Sequence, residues 1–179
     1  MPRMFLALDL TTEQKQTIAQ MVAQLDYSTG LKVIVPENYH LTLFFFGMID
    51  ENTQTSLCQH IDRFIVENKP TSFNYKINHL GLFEKPKVAY LGLDSTPEAL
   101  NLLASKMRNI AELLGFEEQH PEFTPHVSIF RKAKRDLLPK YQEKTVYLEL
   151  NALSFSLYLS ESTPSGPRYT RVKNWSLND

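Results

Sequence analysis

Three helical stretches set between short alternating strands, a closing run of strands, and no glycine-rich phosphate loop predict an α+β chain with largely antiparallel sheets. The alternative, a doubly wound parallel sheet, would need strands and helices to alternate to the end. With 179 residues, 42% of them hydrophobic, the chain suffices for one compact domain over 1–179 and not for two ordinary ones. A five-residue pattern is written twice, nearly half the chain apart, each time within helices and strands. That repetition suggests an internal duplication, with two similar lobes related by a rough two-fold axis.

The elements follow in order. Phe5 to Leu10 reads as a strand, and Thr11 with Gln14 three residues on has capping-box spacing for a first helix with Ile18, Met21, Val22 and Leu25 inward. Ser28-Thr29-Gly30 breaks it, Leu31 to Val35 can form a short strand, and Pro36-Glu37-Asn38 turns the chain into a strand from His40 that Gly47 closes. Asp50 is an N-cap for a second helix reaching Val66, with Leu57, Ile61, Phe64 and Ile65 inward. Phe73, Tyr75 and Ile77 alternate, and Lys87 to Leu93 forms another strand, so the pair reads as a hairpin with a longer loop. Thr96 as N-cap, Pro97 at the first helical position and Gly115 past the end bracket a third helix, with Leu100, Leu103, Met107, Ile110 and Leu114 as its stripe. Strands over Phe123 to Phe130, Thr145 to Leu150, Leu153 to Leu159 and Arg168 to Val172 complete the chain.

Composition narrows the function classes. The formal net charge is -1, so no global basic field marks a non-specific nucleic-acid binder. One cysteine, Cys58, excludes an internal disulfide and a Cys-rich zinc site and suits a reducing cytoplasm. The first apolar stretch stops at Asp9, and no later one approaches spanning length, so neither export nor membrane insertion is expected.

The repeated pattern is His40-Leu41-Thr42-Leu43-Phe44 and His126-Val127-Ser128-Ile129-Phe130. Residues i and i+2 of a strand share a face about 6–7 Å apart, so each copy carries an imidazole and a hydroxyl on one face. A lone strand histidine is ordinarily structural, and His60, His79 and His120, which lack the pattern, are read that way. Two imidazoles with no third ligand fall short of a zinc site, and Ser128 lacks the Gly-x-Ser-x-Gly frame of an activated serine. Acid and base work by the two histidines remains, with the hydroxyls holding an oxyanion. That suits in-line displacement at phosphorus, where attacking and leaving oxygens each need a proton handler and no metal is required. Unperturbed imidazoles would place the optimum between about pH 6 and 8. Arg131 extends the second strand and could grip a phosphate bidentately. Lys132, Lys134, Arg135, Arg168, Arg171 and Lys173 read as solvated surface. Phe46, Phe83, Tyr158 and Tyr169 are candidates for stacking bases, with core packing the ordinary alternative.

With these residues in view, the chain resembles the two-histidine (2H) phosphoesterase superfamily, and in particular the bacterial and archaeal RNA 2′,3′-cyclic phosphodiesterases, also called 2′-5′ RNA ligases. The likeness extends through Phe5-Leu6-Ala7-Leu8-Asp9-Leu10, Phe46-Gly47, Thr124-Pro125, Arg131, Leu157-Tyr158 and Arg168-Tyr169-Thr170. It implies a bilobal α+β fold with both tetrads lining a central cleft, no metal or nucleotide cofactor, and opening of a 2′,3′-cyclic phosphate to a 2′-phosphate, with 2′-5′ RNA ligation as an accompanying reaction. His40 would be the proton donor to the leaving oxygen and His126 the proton acceptor from water, with Thr42 and Ser128 on the phosphoryl oxygens. Serine in place of the frequent threonine at 128 keeps the hydroxyl. The expected partners are RNA ends or nucleotides bearing the cyclic phosphate, met by a cytoplasmic monomer without membrane association. Two other readings share the cleft: a hydrolase of a small cyclic phosphate or 2′-5′ oligonucleotide, and a non-catalytic RNA-end-binding module.

Overall fold

The first strand, β1 (Arg3–Leu8), leads through α1 (Thr12–Ala23) to the two-residue β2 (Lys32–Val33) and then to β3 (Leu41–Met48). The computed structural model describes residues 1–25, 27, 30–117, 122–137, 146–164 and 166–179. After α2 (Glu51–Asn68) come β4 (Phe73–Ile77), β5 (His79–Phe83) and β6 (Val88–Gly92), then α3 (Glu98–Leu113) and β7 (His126–Arg131). The chain ends in β8 (Leu148–Ala152), β9 (Ser154–Thr163) and β10 (Gly166–Ser176). All named strand pairs are antiparallel, as the composition of elements predicts. The main sheet runs β10-β9-β1-β3-β7-β6-β5, with β2 also on β7, and β4 pairs with β8 in a separate ribbon.

Local chemistry explains the helix ends. The Thr11 hydroxyl accepts from the Gln14 backbone at 3.2 Å while the Gln14 side chain accepts from Thr11 N–H at 2.9 Å, the reciprocal box expected for α1. The Asp50 carboxylate accepts from Thr53 N–H at 2.7 Å and starts α2. Gly115, at φ 83°, lets the N–H groups of Gly115 and Phe116 close back on Glu112 and Ala111, a Schellman end for α3. α3 packs on β3 and α2, and α2 reaches β10, so the helices bury one side of the sheet. Leu41, Leu57, Ile61, Leu100, Met107, Val127 and Ile129 are fully enclosed there. The α2–β10 contact is pinned where Asp62 accepts from Lys173 Nζ at 2.7 Å and Trp175 Nε1 at 2.8 Å.

Several expectations are corrected. The strand at Phe73 does not pair with Val88–Gly92; β4 pairs with β8, and the hairpin partner of β6 is β5. β5 was unforeseen because Gly81 interrupts its apolar side chains and no β-branched residue marks it. Pro97, not Thr96, is the N-cap of α3, with no side-chain bond, because its extended ψ keeps it outside the first turn. α2 runs on to Asn68, His40 lies one residue before β3, and β7 begins at His126 rather than Phe123. Gly47, at φ 71°, sits inside β3 rather than beyond it. Ser28, Thr29, His120 and Thr145 fall outside the described residues.

Both histidine strands break their alternation at the same point. On β3 the pairing with β1 passes from Ala7↔Thr42 to Leu6↔Phe44, leaving Leu43 as an extra residue. On β7 the pairing with β6 passes from Tyr90↔Ser128 to Ala89↔Phe130, leaving Ile129 extra. Each bulge buries two consecutive residues and shifts the phase, so Phe45 and Arg131 emerge on the face that carries the histidines.

Candidate active site

β3 and β7 meet at one residue pair, Leu41↔Val127. Antiparallel register through that pair sets Thr42 across from His126 and Ser128 across from His40. Leu41 and Val127 point into the core with no exposure, so the four flanking polar residues share the opposite, open face, where each is half-buried. The two imidazoles and two hydroxyls expected to act together are therefore brought together.

The rings are held alike. His40 Nδ1 donates to the carbonyl of Asn38 at 2.7 Å, and His126 Nδ1 donates to the carbonyl of Thr124, also at 2.7 Å. A carbonyl only accepts, so Nδ1 keeps its hydrogen and Nε2 becomes the atom that gains and loses a proton. Aromatic walls fix the ring planes. Phe5 and Tyr169 stand 4.8 and 5.1 Å from the His40 ring, and Phe83 and Tyr90 stand 4.8 and 5.3 Å from that of His126. Tyr90 lies over Gly81 on the neighbouring strand, where a Cβ would come within 2.2 Å of the phenol ring.

Electrostatics depress both imidazoles. Burial lowers His40 to about 4 against the help of the Asn38 carbonyl, and His126, Lys15 and Arg131 push it the same way as burial. Burial also lowers His126, with the Thr124 carbonyl opposing. Lys15, which donates to the Glu37 carbonyl at 2.7 Å, is itself pulled down by burial and then by Arg171. The site thus carries cationic groups around imidazoles kept neutral, a field that a bound anion would relieve.

One wall of the site rests on a buried carboxylate. Asp9 accepts from Ser154 Oγ at 2.6 Å, Ser156 Oγ and Asn174 Nδ2 at 2.8 Å each, and the Tyr158 hydroxyl, with Arg171 at 3.5 Å. Burial, then the Asp9 contact, pushes the Tyr158 phenol up to about 12. Tyr158 in turn stacks on Phe5 at 5.3 Å, which links this cluster to His40.

Among the residues expected from sequence, Phe83, Tyr158 and Tyr169 belong to the walls, while Phe46 is core, against Phe44 and Phe116. Arg131 reaches the open face through the bulge and lies near enough to act on His40. Arg171 is not plain surface, whereas Arg135 and Arg168 are tied to Glu84 and Glu161. His60 bonds the Ser56 carbonyl and His79 sits 2.8 Å from Asp94, both structural. Sequence reasoning missed Phe5, Tyr90, Lys15 and Asp9. The paired apolar residues Leu43-Phe44 and Ile129-Phe130 were a readable sign of the bulges.

Two histidines, each two residues before a hydroxyl and carried side by side on the open face of an antiparallel sheet, define the class of two-histidine phosphoesterases. The chain belongs to the LigT-like phosphoesterase family within it: the family model described as LigT like phosphoesterase matches residues 8–90, which hold the first tetrad. Over 174 residues it is 32% identical to an RNA 2′,3′-cyclic phosphodiesterase of Thermotoga maritima, covering 93% of this chain and 91% of that protein. A crystal structure of a phosphoesterase superposes with a TM-score of 0.86 at 26% identity, covering 99% of both chains. Escherichia coli LigT complexed with 3′-AMP superposes with a TM-score of 0.81 at 25% identity, over 99% of this chain and 98% of that one. Among the described residues, no helix is long and apolar enough to cross a membrane.

Proposed function

We propose that this chain opens 2′,3′-cyclic phosphates at RNA or nucleotide ends, leaving a 2′-phosphate. The observation that carries the reading is the pair of Nε2 atoms on one open face, each with its Nδ1 committed to a carbonyl two residues upstream. His126 Nε2 takes a proton from water as the water oxygen bonds to phosphorus. The bond from phosphorus to O3′ breaks, and His40 Nε2 gives that oxygen its proton. Thr42, Ser128 and Arg131 hold the phosphoryl oxygens and stabilise the charge that builds on them. With a 5′-hydroxyl in place of water, the same steps join two RNA ends 2′-5′.

The substrate class is supported by the relatives named RNA 2′,3′-cyclic phosphodiesterase. The single domain is read as two lobes, β1-α1-β3 and β6-α3-β7, which repeat a strand-helix-strand unit with a bulge at the same motif position. The protein acts in this reading as a cytoplasmic monomer. Among the described residues no three His, Cys, Asp or Glu side chains converge as a metal site, so activity is expected to survive an excess of chelator. Loss restored by one divalent ion would overturn the metal-free mechanism. Phosphorus NMR on 2′,3′-cyclic AMP tests the reaction itself: conversion to the 2′-phosphate alone is expected, and an unchanged cyclic signal or a 3′-phosphate product refutes it.

A further inference from the structure

The two bulges place equivalent positions on either side of the tetrads, and their chemistry differs. On the first motif Phe45 emerges, 47% exposed. On the second Arg131 emerges beside other cations: it pairs with Lys32 on β2 and with Val88 next to Lys87, and Ala133 N–H bonds the Lys87 carbonyl at 2.9 Å. Neighbouring strands lie about 4.8 Å apart, so Lys87, Arg131 and Lys132 gather at one edge of the site, with Lys134 following, all exposed, while the Lys32 ammonium lies 3.7 Å from where a Gly166 Cβ would stand. Among the described residues the acids there are Glu84, already bound to Arg135, and Asp136. Lys87 and Lys132 also hold left-handed backbone, at φ 55° and 57°, where glycine would sit without strain. Lys69 does so too, but as the end of α2. A chain of net charge -1 thus gathers these cations beside its second motif, while Phe45 on the other flank shares its face with Arg3 on β1 and Arg171 on β10.

We propose that this edge is a track for the phosphate backbone of single-stranded RNA, followed 5′ from the terminal nucleotide held at His40 and His126. It rests on the proposed opening of cyclic phosphates. A cyclic phosphate occupies both O2′ and O3′ of the last nucleotide, so a longer substrate continues only through its 5′ oxygen. Phosphates on that side need a row of cations, which Lys87, Arg131, Lys132 and Lys134 supply.

The test is the double variant Lys87→Gly/Lys132→Gly, which removes two charges and suits the backbone it replaces. Its melting temperature should equal or exceed that of the parent. With a 2′,3′-cyclic mononucleotide kcat/KM should stay within about two-fold, while with a decanucleotide of the same end it should fall roughly ten-fold at low salt. The log–log salt dependence should become shallower by about 1.4, for two lost phosphate contacts. An unaffected decanucleotide, or equal loss on both substrates, overturns the track. If the parent opens neither substrate, the proposed reaction fails instead. Fluorescence anisotropy with a decanucleotide ending in a 2′-phosphate then still decides the track, since weaker binding by the variant supports it and equal binding refutes it. Poly-glutamate bound as tightly as RNA, and lost in the same variant, would make the edge a protein-docking face and refute the RNA assignment.

Discussion

At the residue scale, His40 and His126 share a hydrogen-bonding plan but not an environment, since Lys15 and Arg131 act on His40 in addition to its partner imidazole. Replacing either by alanine should lower turnover at least about 10²-fold without unfolding the chain, because each removes one proton handler. Their roles separate on a nitrophenyl phosphodiester, whose leaving group departs unprotonated: His40→Ala should be partly rescued and His126→Ala should not. Rescue of the His126 variant alone would exchange the two roles. The depressed imidazoles also move the pH expectation. A donor near 4 in the free protein, with the acceptor also lowered, shifts the optimum of kcat/KM below about 6, out of the range that unperturbed histidines give, while the bound phosphate raises His40 and moves the optimum of kcat upward. For stability, the unfolded chain takes up this proton near 6.5 and the folded chain only near 4. The His40 contribution is therefore complete above about 6.5 and is lost as pH falls through 4, on the order of 1–3 kcal/mol. Urea titrations at several pH values check this, since His40→Ala should flatten that part of the curve.

At the element scale, what the sequence made legible was local. The tetrads, the capping box at Thr11 and Gln14, the cap at Asp50 and the glycine end of α3 all lie within a few residues of their partners. What it hid was distant: β4 pairs with a strand that begins at Leu148, and the walls around His40 come from β1 and β10 at opposite ends of the chain. No local period records such pairings. Gly81 shows the cost of missing them, because its meaning appears only once Tyr90 is seen across the hairpin. Gly81→Ala should drive Tyr90 toward His126, destabilising the chain by about 1–3 kcal/mol and lowering kcat/KM further than that loss explains at temperatures well below melting. Parallel melts and kinetics would expose the opposite result, an inert substitution, if Tyr90 does not orient the imidazole.

At the scale of the whole molecule, buried apolar residues from both halves form one continuous core, yet directly beneath the imidazoles β3 and β7 are joined by the Leu41↔Val127 pair, with β2 holding β7 further along. The concentration that each imidazole experiences of the other is fixed across that seam, not within either flank. Small relative motions there would be almost invisible to secondary structure and ruinous to a reaction that needs both proton handlers on one phosphorus atom. Heating should therefore silence the protein reversibly several degrees before its circular dichroism changes, with amide exchange at Leu41 and Val127 rising first. Coincident loss of activity and secondary structure would mean that the seam is as firm as the sheets it joins. A single backbone pair beneath the imidazoles is then also the one through which two half-sites become a single reagent.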